Sequence, residues 1–355
     1  MAAIVYQKNK KIEVVYGYSL VSDGSIRCHT AYLVTRIRES RLYAELGLVG
    51  QFGKKKDHAG IRPNKGGLSL TEVLQLVVYG IVLGSIISLG AIGVSLIFSI
   101  LRFAHFAHGD FMTLGAYFAL VGVVGMKLPI LAVFVPALIA TALVAVGIDR
   151  LLYRYLRKSS SIILLISSLG TALMLRSLIQ IIWGPDNQLY KSGITMPLQI
   201  MGLNIKPDQI IIVVGTIVLV AILHLFLHKT IMGKAMRAMA DNMDLAKISG
   251  IHTEKVILWT WIIAAFLSAA AGIFLGMDTR LNPIMGWHIL LPVFAACILG
   301  GIGSFWGAII GGYLIGIVQE LSTIFISPGY KPAVAFAIIV IMLVLRPKGI
   351  ISGKD

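Results

Sequence analysis

Eight apolar stretches, at roughly 72–99, 129–149, 161–183, 208–228, 256–276, 287–301, 305–326 and 332–346, decide what this chain can fold into. A hydrocarbon core about 30 Å thick takes about 20 residues of helix, and inside it backbone polar groups must bond within their own segment. The pattern therefore predicts an all-α, polytopic membrane protein with about eight transmembrane helices. Composition agrees, with 57% hydrophobic residues, 13% charged residues and a mean hydropathy of +0.87, more apolar surface than one water-soluble core could bury.

Basic residues between the stretches suggest direction. Arg150, Arg154, Arg157 and Lys158 occupy one connection, Lys229, Lys234, Arg237, Lys247 and Lys255 another, and Arg346, Lys348 and Lys354 the tail. Lys and Arg beside span ends favour the cytoplasmic face, so these segments are expected inside, against membrane lipid and without nucleic acid. The connections 184–207 and 277–286 hold Gly, Pro and Asn and are expected outside. Residues 1–69 carry 12 Lys/Arg against 5 Asp/Glu and no sustained apolar face, which reads as a basic, poorly ordered cytoplasmic extension before a transmembrane domain at 70–355. Residues 1–30 lack an apolar run ending in a cleavage site, so no secretory signal is expected.

The stretch LRFAHFAHGDFMTLGAYFAL, residues 101–120, places Arg102, His105, His108 and Asp110 deep in this apolar chain. A charge at the bilayer centre costs at least about 2.5–3.5 kcal/mol, so such groups do not face lipid. If a basic N-terminus starts the first span inside, a full crossing at 101–126 would invert every later loop. The sequence therefore predicts a broken or re-entrant element there, with both termini cytoplasmic. On the plainer reading Arg102 and His105 lie at the external interface and Asp110 caps a helix beginning at Phe111. The broken element could also line a pathway through His108, Gly109 and Asp110, with Glu320 in a later span as a further polar candidate, and Arg176 within 161–183 and Gln319 beside Glu320 should likewise face protein or water.

Two other segments stand out. In GKAMRAMADNMDLAKISGI, Gly233, Arg237, Ala238, Asn242, Ala246 and Gly250 mark a helix with a narrow small-residue stripe, read either as a solvated connection or as a helix that docks on a partner. In GGIGSFWGAIIGG, Gly303, Gly307 and Gly311 are spaced for close helix packing in lipid. Chemistry is otherwise sparse. Cys28 and Cys297 cannot form a CxxC site, His105 and His108 lack further metal ligands, GLVGQFGKK lacks P-loop spacing, and no nucleophile has a triad context. No cofactor, metal or enzymatic activity is expected.

Three of these motifs resemble one family. FAHGDFMTLGAY, with Phe106, Ala107, His108, Gly109, Asp110, Leu114, Gly115, Ala116 and Tyr117, resembles the N-F-A-H-G-(D/E)-x-x-x-L-G-A-Y signature of branched-chain amino-acid (Liv-type) ABC transporter permeases, with His105 where the family commonly has Asn. Gly233, Arg237, Ala238, Asn242, Ala246, Gly250 and Ile251 resemble that family's cytoplasmic loop, and ILGGIGSFWGAIIGG its LGGxGSxxGAxxGG. The resemblance runs from about residue 70 to the C-terminus. It implies the membrane subunit of an importer in the bacterial inner membrane, working with cytoplasmic ATP-binding subunits, a second permease subunit, identical or paralogous, and an extracytoplasmic solute-binding protein. Urea and short-chain amide permeases look similar. The rivals from other classes are a stand-alone secondary transporter, for which Asp110 or Glu320 would supply the coupling carboxylate, and a membrane-embedded enzyme.

Overall fold

The computed structural model describes residues 4–8, 11–15, 70–157, 159–190, 197–200, 202–346 and 349–350. Two compact units divide the chain, Met1–Gly66 and Gly67–Asp355. In the first, β1 (Ile4–Lys8) pairs antiparallel with β2 (Lys11–Val15), Ile4 opposite Val15 and Lys8 opposite Lys11. The expected disorder of residues 1–69 otherwise falls outside the described residues.

The second unit is a helical bundle. Its elements are α1 (Leu70–Leu101), α2 (His108–Leu120, continued by a π-helical stretch at Val121–Gly125), α3 (Ile130–Leu156, π-helical at Asp149–Tyr153) and α4 (Ser161–Trp183). A small hairpin of β3 (Leu198–Ile200) and β4 (Leu203–Ile205) precedes α5 (Pro207–Lys229), α6 (Ile231–Asp241) and α7 (Met243–Ile248). The chain closes with α8 (Thr253–Asp278), α9 (Met285–Gly300), α10 (Phe305–Ser322) and α11 (Lys331–Leu345).

Helices α1 and α8 are apolar on every side, and 78% of each most hydrophobic window is buried, so they form the centre. The other spans bury 11–39% of theirs and wrap this pair. Close packing follows from small residues. In α10, Gly307 and Gly311 lie against the Gly300 and Ala296 backbone of α9, while Gly312 and Gly316 lie against Ser88 and Gly84 of α1. Gly303, predicted on the same ridge, sits instead in the turn before α10 with φ +89°.

Two ends of the bundle can be told apart by contacts. At one, which holds the basic connections, Arg102 bonds Ala240, Arg157 bonds Glu254, Ser95 accepts from Gly303, and the Ile350 amide donates to the Leu299 carbonyl. At the other, Gln75 of α1 exchanges two hydrogen bonds with Asn204 of β4 at 2.9 and 2.8 Å, Gln188 bridges to Leu281, and Asn282 donates to Asn187. The described parts of the three basic segments thus share one end, and those of 184–207 and 277–286 the opposite one, as the charge pattern predicts.

The re-entrant reading of 101–126 is corrected. The break is present: α1 stops at Leu101, and Arg102 turns the chain with φ +57°. Beyond it, however, α2 traverses. His108 begins beside Gly93 and Ala264, and Lys127, just past the π-helical stretch, shares a cavity of about 810 Å³ with Lys206, Asp278 and Arg280 at the opposite end. The 13 residues of α2 and the five after them span about 27 Å at 1.5 Å per residue, enough for a crossing. Counting crossings from a start on the basic side fails because Gln75 fixes the start of α1 at the end away from the basic loops, while Ile350 lies among them, so the two ends of this unit are not on one side as expected. Seven helices are long and apolar enough to cross a bilayer, and α2 and the shorter α9 bring the passes to nine among the described residues.

Candidate translocation site and docking surface

The break between α1 and α2 is pinned at the basic end, which corrects the placing of Arg102 and His105 at the opposite interface. Arg102 Nη2 donates at 2.6 Å to the carbonyl of Ala240, in the last turn of α6, where carbonyls lack helical partners and a cation is favoured. His105 is buried, with Nε2 3.0 Å from the Tyr153 hydroxyl and its ring edge-on to Trp261 at 5.0 Å. Tyr153 stacks on Trp261 at 5.0 Å and 7°. The aromatic box thus joins the break, the π-helical end of α3 and α8. His108 lies 6.4 Å from His105, ring to ring, and packs where Gly93 has no side chain. No group of three potential metal ligands occurs among the described residues.

Asp110 does not cap the helix. The helix begins at His108, its cap position is Ala107, and no side chain bonds there. Asp110, in the first turn, reaches across to α4 instead: Arg176 Nε and Nη2 donate to its two oxygens at 3.1 Å each. The Asp110 side chain is wholly buried and that of Arg176 is 16% exposed. The guanidinium carbon lies 4.8 Å from the ring centre of Trp287, at the start of α9. Glycines permit this convergence, because a β-carbon on Gly109 or Gly286 would collide with the other's backbone. The Gly286 amide also donates to Thr113 Oγ1 at 3.0 Å. A bidentate carboxylate–guanidinium pair is an orientation-specific arrangement and is the polar centre of the span region. Of the predicted pathway residues, His108, Gly109 and Asp110 are brought together, whereas Glu320 pairs with Lys331 at 2.5 Å across the turn between α10 and α11. Arg176 and Trp287 complete the cluster. Arg176 carried a signal in the sequence, being an isolated cation in an apolar span, and Trp287 carried none.

At the basic end α6 and α7 form a bent pair rather than the single helix read from 233–251. The Thr230 hydroxyl accepts from the Gly233 amide at 2.9 Å to start α6. Gly233, Met236 and Met239 face inward, and Gly233 lies against the Phe226 and Leu227 backbone. Arg237, like Lys234 and Asp241, faces outward, and Ala238 is half-buried. Asn242 then leaves helical geometry at φ −152°, and its Oδ1 accepts from Asp244 and Leu245 at 3.0 Å, capping α7. The predicted four-residue stripe is thereby interrupted, with Ala246 buried and Gly250 ending the pair at φ +86°. Among its outward charges, with Asp244 and Lys247 also exposed, the pair presents two apolar side chains, Leu245 at 62% and Ile248 at 83% exposed. The sequence reading passed over these two residues.

Against this geometry, comparison with known proteins is informative. Residues 76–343 match the family model described as the permease component of branched-chain amino acid transport systems. The chain is 32% identical over 296 residues to the high-affinity branched-chain amino acid transport system permease protein LivH of Salmonella typhimurium and to that of Escherichia coli K12, covering 79% of this chain and 96% of each relative. The permease protein BraD of Pseudomonas aeruginosa is 32% identical over 298 residues, with the same coverage. A shorter likeness, 39% over 105 residues and 27% of this chain, joins it to 28% of the xylose transport system permease protein XylH of Haemophilus influenzae. With the nine passes and the motifs at 106–117, 233–251 and 298–312, these matches identify a multi-pass membrane permease, and the chain belongs to the branched-chain amino acid transport system permease family.

Proposed function

We propose that this chain is one membrane subunit of an ATP-driven importer for branched-chain or related small amino acids. In this reading the basic end is cytoplasmic and the end with Gln75, Asn204 and Lys127 faces outward, in a bacterial inner membrane. Cytoplasmic ATP-binding subunits seat on α6 and α7, a second permease subunit completes the pathway, and an extracytoplasmic binding protein delivers the solute. One observation carries the reading: an apolar tip, Leu245 and Ile248, stands free at the basic end on a helix pair whose other helix is bonded through Arg102 to the break at the head of α2.

The mechanism follows from that connection. Closure of the ATP-binding subunits displaces α6 and α7. Arg102 passes the displacement to the break, and α2, wedged between α8 and α9, shifts the polar centre between an outward and an inward opening. Substrate can bias this equilibrium only by its differential affinity for the two states, so the membrane site binds weakly and the receptor supplies most selectivity. Reconstitution of the chain with its ATP-binding subunits, second permease and receptor tests the reading. Leucine should accumulate in proteoliposomes only with ATP. ATP-independent accumulation by this chain alone would favour a secondary transporter and refute it.

A further inference from the structure

The polar centre offers more than a structural pair, and the step taken here rests on the import reading above. Asp110 occupies the Nε/Nη2 edge of Arg176, and Trp287 lies over one guanidinium face. A guanidinium carries five N–H donors in one rigid plane. With that edge and face taken, Nη1 has no hydrogen-bond partner among the described residues, and Arg176 remains 16% exposed. At membrane depth such an opening does not face acyl chains; it looks onto water or onto an acceptor. Next to it Trp287, Leu291 and Phe294 are incompletely covered, at i, i+4 and i+7 on α9, and Phe106 from the break packs on Phe294 at 5.2 Å.

We propose that Arg176 recognises the α-carboxylate of the transported amino acid. Its open Nη1 edge takes the carboxylate, and the apolar side chain lies along the Trp287–Phe294 stripe. Asp110 and Trp287 are positioning residues, fixing the fork on one edge and one face so that little order is lost when the ligand docks. A planar fork fits a carboxylate in a way a lysine does not. Moving α2 would carry Asp110, and with it the guanidinium, from one opening to the other.

The test uses the complete transporter in proteoliposomes, with Cys28→Ser and Cys297→Ser removing the two native thiols. Leu291→Cys reports on the stripe through its labelling rate with a charged methanethiosulfonate. Leucine should slow labelling, and leucinamide, which keeps the side chain but lacks the carboxylate, should not. Arg176→Gln should raise the half-protecting leucine concentration about tenfold or more, and Arg176→Lys should restore part of the protection. Because Arg176→Gln strands Asp110, the double variant Asp110→Asn/Arg176→Gln sets amide against amide and should show the same loss. Protection by leucinamide equal to that by leucine overturns the assignment. So does full leucine protection in the double variant, or a thiol that the reagent never reaches. ATP-dependent leucine uptake is measured in parallel with Leu291 intact: uptake without carboxylate-dependent protection removes only Arg176's role, whereas no uptake removes the import reading beneath it.

Discussion

Replacing Asp110 by alanine separates two accounts of the same residue. Were it a helix cap, its loss would cost about 0.5–2 kcal/mol. As one half of the pair with Arg176, it leaves a guanidinium that is 16% exposed with neither of its two 3.1 Å bonds. Removing one partner of a buried ion pair costs about 3–5 kcal/mol, and the residual exposure and the Trp287 face place this case near the lower bound, about 3 kcal/mol. The double variant Asp110→Asn/Arg176→Gln removes both charges and keeps the shape, so it should lose only about 1 kcal/mol. The readout is unfolding of the purified protein in mixed micelles as sodium dodecyl sulfate rises, with Asp110→Ala set directly against the double variant and an expected difference of about 2 kcal/mol. If Asp110→Ala alone costs under about 1 kcal/mol, or the double variant is the less stable of the two, the pair is not what holds α2 to α4.

Three further outcomes follow from particular contacts. Gly272→Ala would drive a β-carbon into the Met112 backbone where α8 crosses α2, costing about 1–3 kcal/mol or more by the same unfolding assay, and a wild-type stability would show that the helices separate easily. Ile248→Asp, at a side chain 83% exposed, should leave folding intact while ATP-binding subunits no longer copurify; their undiminished recovery would move the docking surface elsewhere. Thiols placed at Lys127 and Lys234 should label from opposite sides of sealed vesicles, and labelling from one side would restore the re-entrant reading of 101–126 that the contacts of His108 and Lys127 reject.

The spans were legible because long apolar runs end at Gly, Pro or charge: the stretch read at 161–183 coincides with α4, and that at 208–228 differs from α5 by one residue at each end. The second crossing was not. His105, His108 and Asp110 dilute its hydropathy, and the groups that make their burial tolerable, Tyr153, Trp261 and Arg176, lie far along the chain. The basic run at 54–65 also drew the reading toward a start on the basic side. At the α6–α7 pair the sequence did hold the missing sign, since Asn242 followed by Asp244 is a helix-start pattern, but the four-residue recurrence of small side chains looked continuous across it. The ion pair was half legible: Asp110 and Arg176 each stood out as an intramembrane charge, and only the fold brings residues 66 positions apart into register.

The first helix is longer than a hydrocarbon core requires. Its 32 residues extend about 48 Å against a hydrocarbon core of about 30 Å, and a tilt near 20° absorbs only a few ångströms of that excess. About 15 Å of its length accordingly lies outside the hydrocarbon core, and at the end away from the basic connections its Gln75 grips the small hairpin. At that end the helix and the hairpin are tied side chain to backbone at two points, so they move as one piece.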